Sequence, residues 1–357
     1  MSETRRGAPR PDLALLPGYH SPQLEVAVRL NTNEAPEPPP RAFVAALAAE
    51  LGRLELHRYP DRGARALRAR LAAAHGLEPG QVFCANGSNE VIQSILLAYA
   101  GAGRCAAVFE PTYALHSHIA RITGTALATG ERGEDFLVTE RELARVLGAE
   151  PAPAVTFLCS PNNPTGRLEP RATVEAALAA APGLVVVDEA YGQFAPWSAV
   201  DLLASNPHLV VVRTFSKTWS LAGLRLGYAL ADESVVAALE QVALPYHLDA
   251  VKQVAGRLAL DFEQEMHARV ARLVDERGRL AARLVDLGLE VVPSDANFIL
   301  FRVRDRDARS VWQALVDRSI LVRDVSSWPR LAGFLRVTVG TPAENDAFLA
   351  GLAAALA

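Results

Sequence analysis

The chain contains the segment Val211-Val212-Arg213-Thr214-Phe215-Ser216-Lys217-Thr218-Trp219-Ser220, followed by Ala222-Gly223-Leu224-Arg225. An apolar run there ends in small hydroxyl residues, and Lys217 and Arg225 follow it. Lys217 and Lys252 are the only lysines among the 36 lysines and arginines of the chain. Arginine keeps its proton at physiological pH, whereas a lysine amine can be desolvated and made nucleophilic. An isolated Ser-Lys pair after a strand would more simply place the lysine at the surface. The surrounding sequence therefore has to decide whether Lys217 is a surface residue or a buried nucleophile.

The composition excludes several functional classes. With 357 residues, of which 50% are hydrophobic and 21% charged, the chain is long enough for two domains. A net charge of −4 gives no support for binding nucleic acid or an acidic membrane surface. No apolar stretch reaches the roughly 18 residues of a membrane span, and the N-terminus lacks a hydrophobic signal region. The three cysteines have no metal-ligand spacing. We therefore expect a cytoplasmic protein with reduced thiols and no metal site.

The order of apolar and helical segments predicts an α/β fold. Five apolar runs alternate with amphipathic helical segments, and they lie at 82–84, 106–109, 154–158, 184–187 and 209–212. Continuous apolar strands separated by helices indicate a parallel sheet covered on both faces, and such sheets bind ligands at the carboxyl ends of their strands.

The C-terminal third of the sequence predicts a second domain, and the first forty residues predict an arm. After about residue 245 we expect one long helix over 250–287, and short strands then lie near 291, 298–301, 321–322 and 335–339. This pattern is typical of a smaller α+β domain. The sequence therefore predicts an irregular arm over 1–40 that packs with the small domain, a large domain over 41–248 and a small domain over 249–357.

Three polar motifs follow predicted strands, and each has a simpler interpretation. Gly87-Ser88-Asn89-Glu90 opens a helix, where free backbone N–H groups could bind phosphate or Ser and Asn could merely cap the helix. Ser160-Pro161-Asn162-Asn163-Pro164-Thr165-Gly166 could be an ordinary turn. Val187-Asp188-Glu189-Ala190-Tyr191 could supply a helix cap or a carboxylate with an electropositive partner. No GxxxxGK[ST] motif accompanies them, so we exclude an ATPase of that type.

Together, Asn163, Asp188, Tyr191, Lys217 and Arg225 resemble, in order and context, the fold-type-I aminotransferases that use pyridoxal 5′-phosphate. The resemblance covers nearly the whole chain. It implies a large domain with a mostly parallel seven-stranded sheet covered by helices and a smaller α+β C-terminal domain. It also implies that Lys217 bonds covalently to the cofactor and that Asp188 pairs with its protonated pyridine nitrogen.

The same resemblance assigns the other cofactor contacts. Asn163 and Tyr191 would hydrogen-bond the 3′-oxygen of the cofactor ring, and Tyr113 would stack on the ring face. The phosphate of the cofactor would be held by four residues, which are Ser88, Asn89, Ser216 and Arg225.

Further segments resemble the histidinol-phosphate aminotransferases, and they are Leu30-Asn31-Thr32-Asn33-Glu34, Arg58-Tyr59-Pro60-Asp61, Ser294-Asp295-Ala296-Asn297-Phe298, Leu321-Val322-Arg323-Asp324 and Leu335-Arg336-Val337-Thr338-Val339-Gly340. The resemblance implies a homodimer in which Tyr59 reaches the cofactor phosphate of the neighbouring subunit. It places Asn33 at the substrate, Arg336 on a substrate carboxylate, and Arg323 with Tyr19 near the distal substrate phosphate.

The reaction that this resemblance implies is transamination of histidinol phosphate with 2-oxoglutarate, a step of histidine biosynthesis. The family often reads Asn-Glu-Asn-Pro-Tyr where this chain has Asn33-Glu34-Ala35-Pro36-Glu37, a difference at the mouth of the site that bears on the substrate and not on the reaction. An aromatic or broad-range aminotransferase and a related phospho-amino-acid decarboxylase remain as alternatives. His116 and His118 are interpreted as packing or solvent residues, because no acidic or thiol partner stands at a metal-like spacing.

Overall fold

The computed structural model describes residues 22–357, and two β-sheets organise them. The strands are, in chain order, β1 (Val28–Leu30), β2 (Val82–Ala85), β3 (Cys105–Glu110), β4 (Ala126–Glu131), β5 (Pro153–Cys159), β6 (Leu184–Asp188), β7 (Leu209–Thr214), β8 (Gly227–Ala231), β9 (Glu290–Val291), β10 (Phe298–Arg302), β11 (Ile320–Asp324) and β12 (Phe334–Thr338). The α-helices are α1 (Arg41–Leu51), α2 (Arg65–His75), α3 (Ser88–Tyr99), α4 (Ala114–Ile122), α5 (Glu140–Leu147), α6 (Arg171–Ala180), α7 (Glu233–Val242), α8 (Ala250–Ala259), α9 (Glu263–Asp286), α10 (Ala308–Val316) and α11 (Pro342–Leu356). Short 3-10 helices occupy Pro79–Gln81, Gly192–Phe194, Ala199–Ser205, Ala222–Leu224 and Leu260–Phe262.

The larger sheet has seven strands in the order β2-β8-β7-β6-β5-β3-β4. Strands β3 to β7 pair in parallel, and β8 pairs antiparallel with both β7 and β2. The mostly parallel seven-stranded sheet expected from the sequence is therefore confirmed. Side chains of β6 alternate between two apolar clusters, since Val185 and Val187 join one and Leu184 and Val186 join the other. A strand that is buried on both faces needs such a continuous apolar sequence.

The smaller sheet has five strands in the order β1-β11-β12-β10-β9. Its strands pair antiparallel except for β1, which lies parallel to β11 with Val28 opposite Ile320. A third apolar cluster includes residues of this sheet together with residues of α9, α10 and α11. None of the helices within residues 22–357 is long and apolar enough to cross a membrane.

Some local predictions were wrong. The region expected to be irregular contains β1, which forms because its backbone pairs with β11 and Leu30 enters the third cluster. The single helix expected over 250–287 is two helices separated by the 3-10 segment Leu260–Phe262, where Phe262 packs edge-on against Phe43 with ring centroids 5.9 Å apart. Strands β4 and β8 were missed, because β4 is a largely exposed edge strand and β8 consists mainly of glycine and alanine.

The strand register brings the polar motifs together. Cys159 at the end of β5 lies opposite Asp188 at the end of β6, and Asp188 lies opposite Val212 of β7. Parallel strands end at the same edge of a sheet, so the turns that follow β5, β6 and β7 meet there.

Candidate active site

A cavity of about 340 Å³ opens at this edge, between the larger sheet, the segment around residues 31–34 and the smaller sheet. Twelve of the residues selected from the sequence line it, and they are Asn33, Ser88, Asn89, Tyr113, Asn163, Asp188, Tyr191, Ser216, Lys217, Arg225, Arg323 and Arg336. Tyr19 lies outside the described residues. Tyr59 does not line this cavity; its side chain is exposed and stacks on Tyr246, with ring centroids 4.5 Å apart.

Lys217 follows β7 and directs its amine into the cavity. The Nζ atom donates a hydrogen bond of 3.0 Å to the carbonyl oxygen of Thr32 and lies 5.8 Å from the centre of the Tyr191 ring. Burial lowers the pKa of the Lys217 amine to about 7, with a further lowering by the Arg336 guanidinium that outweighs the opposing effect of Glu34. A large share of this amine is therefore neutral and nucleophilic near neutral pH.

Asp188 is held rigidly at the end of β6, where it is 1% exposed. One carboxylate oxygen lies 3.0 Å from Nε2 of the fully buried His116, and the other accepts a 3.1 Å hydrogen bond from the backbone N–H of Ala190. The His116 ring is in turn stacked on Phe157, with centroids 4.7 Å apart. The carboxylate therefore has a fixed orientation toward the cavity that it lines.

The contact between His116 and Asp188 was missed by sequence analysis, which interpreted His116 as a packing or solvent residue. His116 lies three residues after Tyr113, and residues at that spacing share one face of a helix. Their rings meet edge-on, with centroids 5.4 Å apart. The expectation that Tyr113 faces the cofactor should therefore have directed attention to His116.

The N-terminus of α3 and Arg225 together form a cradle suited to an anion. Gly87 precedes the helix with φ of 82°, and no side chain caps the first turn. A Cβ atom at Gly87 would lie 2.7 Å from Nη2 of Arg225, so a side chain here would displace the guanidinium, and the positive φ also favours glycine. Arg225 also donates a 3.3 Å hydrogen bond from Nη1 to Oγ of Ser216. Free backbone N–H groups, a helix dipole and a guanidinium favour a phosphate group.

Asn163 and Tyr191 are connected to the segment around residue 33 and to the smaller sheet. Nδ2 of Asn33 donates a 2.9 Å hydrogen bond to the Tyr191 hydroxyl, and burial raises the pKa of Tyr191. Arg336 donates from Nη1 to Oδ1 of Asn163 and from Nη2, at 2.9 Å, to the carbonyl oxygen of Asn31. The chain segment that carries Asn31 and Asn33 therefore holds groups from both sheets.

Arg323 and Arg336 face the cavity from neighbouring antiparallel strands. They are directly opposite each other in the register of β11 and β12, and both are largely buried. Opposite residues of an antiparallel pair lie on the same face of the sheet. The Arg323 guanidinium lies 5.6 Å from the centre of the Trp328 ring, which also lines the cavity. This wall therefore offers two guanidinium groups, each suited to a carboxylate or a phosphate.

Comparison with known proteins gives matches over nearly the whole chain. The family described as aminotransferase class I and II matches residues 25–352. A histidinol-phosphate aminotransferase of Frankia casuarinae is 47% identical and covers 96% of this chain and 89% of its own, and one of Streptomyces avermitilis is 48% identical and covers 93% and 92%. The crystal structure of a histidinol-phosphate aminotransferase from Sinorhizobium meliloti in complex with pyridoxal 5′-phosphate is similar with a TM-score of 0.89 and 25% identity, covering 99% of both chains.

Proposed function

Because the chain belongs to the aminotransferase class I and II family, we propose that it transfers the amino group of histidinol phosphate to 2-oxoglutarate with pyridoxal 5′-phosphate as cofactor. The products are imidazole-acetol phosphate and glutamate, and the reaction serves histidine biosynthesis. One observation carries the chemistry. The Lys217 amine, whose pKa is about 7 because of burial and Arg336, lines the same cavity as Asp188 and the anion cradle. The choice of histidinol phosphate as the substrate rests on two relatives of 47% and 48% identity, each of which is named histidinol-phosphate aminotransferase.

The residues of the cavity fit the cofactor. Lys217 would bond to it covalently, and Asp188 would hold the proton on its ring nitrogen. The phosphate would lie in the cradle formed by Gly87, Arg225 and the N-terminus of α3, where a side chain at position 87 would push the Arg225 guanidinium aside. Pyridoxal phosphate, when bound, supplies an electron-withdrawing ring that accepts the electron pair left on the substrate after a proton is removed. The remaining contacts of the ring are those expected of Tyr113, Asn163 and Tyr191.

The chain's own residues move the proton. Once the substrate amine has displaced Lys217 from the cofactor, the freed Lys217 amine would act as general base and take the proton from the α-carbon of the substrate. A pKa near 7 suits that task, because a group of this kind exchanges protons readily at neutral pH. The Lys217 ammonium would then act as general acid and deliver the proton to the 4′-carbon of the cofactor, not back to the α-carbon, which is what makes the reaction a transfer of the amino group. Asp188 keeps its charge in place through His116 and the Ala190 amide, so no reorganisation is needed during the reaction.

Two arginines give the site the means to accept two unlike substrates. Histidinol phosphate carries a phosphate and no α-carboxylate, whereas glutamate carries carboxylates only. Arg336 would bind the substrate carboxylate and Arg323 the distal phosphate. Their position opposite each other in β11 and β12 supports this division of labour, since both reach the cavity from one face.

We further propose that the protein is a cytoplasmic homodimer. Leu56 and Tyr59 on one loop, and Leu244 and Tyr246 on another, expose large apolar side chains, with exposed fractions of 74%, 80%, 76% and 43%. The stacked rings of Tyr59 and Tyr246 join the two loops into one patch, and exposed patches of this kind are typical of interfaces. Tyr59 belongs to this patch, so a second copy that covers the patch would contact the residue expected to reach the cofactor phosphate of the neighbouring subunit. We also propose that the chain divides into an arm, a large domain and a small domain, with boundaries at residues 40 and 248.

A half-reaction distinguishes the candidate substrates. Protein loaded with pyridoxal phosphate is mixed with histidinol phosphate and, separately, with phenylalanine, and loss of the visible absorbance of the bound cofactor is followed. We expect rapid loss with histidinol phosphate. Loss mainly with phenylalanine would move the substrate to the aromatic class. A third sample contains a phosphorylated α-amino acid, which unlike histidinol phosphate has a carboxylate to lose, and release of CO₂ from it without transfer of nitrogen would show a decarboxylase.

A further inference from the structure

Trp328 occupies a fixed position beside the cavity, in the loop that joins β11 to β12. The backbone N–H of Trp328 donates a 2.9 Å hydrogen bond to Val325, and its carbonyl oxygen accepts one of 3.1 Å from Leu331. Its indole packs against an apolar cluster that contains Phe136, Phe334 and other buried residues. The indole also lines the cavity. The apolar cluster therefore supports one side of the indole, and another side of the indole faces the cavity.

The cavity has an aromatic surface that the cofactor does not use. Within residues 22–357, its aromatic lining residues are Tyr113, Tyr191 and Trp328. The first two are the ones expected to contact the cofactor ring. Trp328 instead lies on the side of the two arginines, 5.6 Å from the guanidinium of Arg323. An aromatic face within reach of a phosphate-binding arginine suits a small substrate that carries a flat ring and a phosphate on the two arms of its amine-bearing carbon.

We propose that Trp328 determines specificity, by forming the wall against which the ring of the amine substrate packs while Arg323 binds its phosphate. This inference rests on the proposed function and assigns the ring subsite within it. Contacts between aromatic rings lower a dissociation constant by roughly 2- to 12-fold beyond the burial of area. Glutamate has no ring, so the wall contributes nothing to its reaction.

The test compares two half-reactions in the same variants. Trp328→Leu and Trp328→Phe are loaded with pyridoxal phosphate, and the second-order rate constant is measured for histidinol phosphate and, after conversion to the amino form, for 2-oxoglutarate. We expect Trp328→Leu to lower the constant for histidinol phosphate by about 2- to 12-fold, with a smaller loss in Trp328→Phe. The constant for 2-oxoglutarate should stay within about 2-fold and serves as the internal control for folding.

A binding measurement is independent of turnover. Histidinol phosphate is titrated into the protein without cofactor while indole fluorescence is recorded. The signal should change in the parent protein and in Trp197→Phe, whose indole does not line the cavity, and the change should disappear in Trp328→Phe. An equal loss for both substrates, no loss for either, or a persisting signal in Trp328→Phe would overturn the inference.

The two proposals fail in different ways. If the parent protein reacts with 2-oxoglutarate but not with histidinol phosphate, the proposed substrate is wrong. The inference on Trp328 is then decided with phenylalanine as the ring-bearing amine. The same selective loss in Trp328→Leu would uphold it, and an unchanged ratio of the two constants would refute it.

Discussion

The lowered pKa of Lys217 makes the uptake of cofactor depend on pH in a specific way. An ordinary lysine has a pKa near 10.5, whereas burial and the Arg336 guanidinium bring the pKa of Lys217 to about 7. At about pH 8, roughly 90% of such an amine is neutral, compared with about 0.3% of an ordinary lysine, a difference of roughly 300-fold in the reactive form. Below pH 7 the rate of covalent uptake should fall about tenfold per pH unit, and above it the rate should level off.

The assay follows the covalent reaction directly. Cofactor-free protein is mixed with pyridoxal phosphate over a series of pH values, quenched with borohydride at set times, and analysed by mass for the labelled fraction. Arg336→Leu should move the midpoint upward, because it removes the second largest cause of the shift, while burial, the largest cause, remains. A midpoint near 10.5 in the parent protein would refute the reasoning, and an unchanged midpoint in Arg336→Leu would refute the part assigned to Arg336.

The same pKa affects folding. Between pH 7 and 10.5 the unfolded chain carries a proton on Lys217 that the folded cofactor-free protein has released. The titration of Lys217 should therefore make the free energy of unfolding rise with pH through this range. Lys217→Met removes the contribution, so it should stabilise the cofactor-free protein more at neutral than at alkaline pH, as measured by denaturant unfolding.

Three further substitutions, the last with a matched control, test other parts of the account. Asp188→Asn should lower the rate of the histidinol phosphate half-reaction by roughly 100-fold or more, since a preorganised charge is lost, and single-turnover kinetics will show it; an unchanged rate would contradict the role of this carboxylate. Gly87→Ala should weaken pyridoxal phosphate binding several-fold in an equilibrium titration, because the new Cβ would meet the guanidinium of the cradle at 2.7 Å; unaltered affinity would exclude the cradle as the phosphate site. Glu169→Gln should lower the free energy of unfolding by about 3–5 kcal/mol, because the buried Arg132 loses its charged partner. The matched control is Glu175→Gln, which removes a charge from an exposed ion pair and should cost about 0.5 kcal/mol or less. Equal losses in denaturant unfolding would show that burial does not strengthen the Arg132–Glu169 pair.

Much of the site was predictable because its residues follow buried strands. Lys217 and Asp188 each come after a run of apolar residues, and the rule that parallel strands end at one edge brings them together. Continuous apolar runs between helical segments also identified five of the seven strands of the larger sheet. The missed strands lacked that signal, since an exposed edge strand and a strand of small residues resemble loops in the sequence.

The remaining contacts could not be found from side-chain patterns. The Lys217 amine donates a hydrogen bond to the backbone carbonyl of Thr32, 185 positions away, and Arg336 donates one to the backbone carbonyl of Asn31. Every residue type has such a carbonyl, so the sequence does not mark these two acceptors. Trp328 was overlooked because its place in the cavity depends on how the loop between β11 and β12 turns. The contact of His116 was the exception, because its position three residues after Tyr113 can be read from the sequence.

The two-lysine composition allows a direct test of the central claim that Lys217 bonds covalently to pyridoxal phosphate. Protein loaded with the cofactor is reduced with borohydride, digested and mapped by mass spectrometry, which has only Lys217 and Lys252 to distinguish. Lys252 is the matched control, since it lies on α8, pairs with Asp249, which caps that helix, and does not line the cavity. We expect the cofactor mass on the peptide that carries Lys217 and not on the one that carries Lys252. Labelling of Lys252 instead, or of neither lysine, would contradict the account.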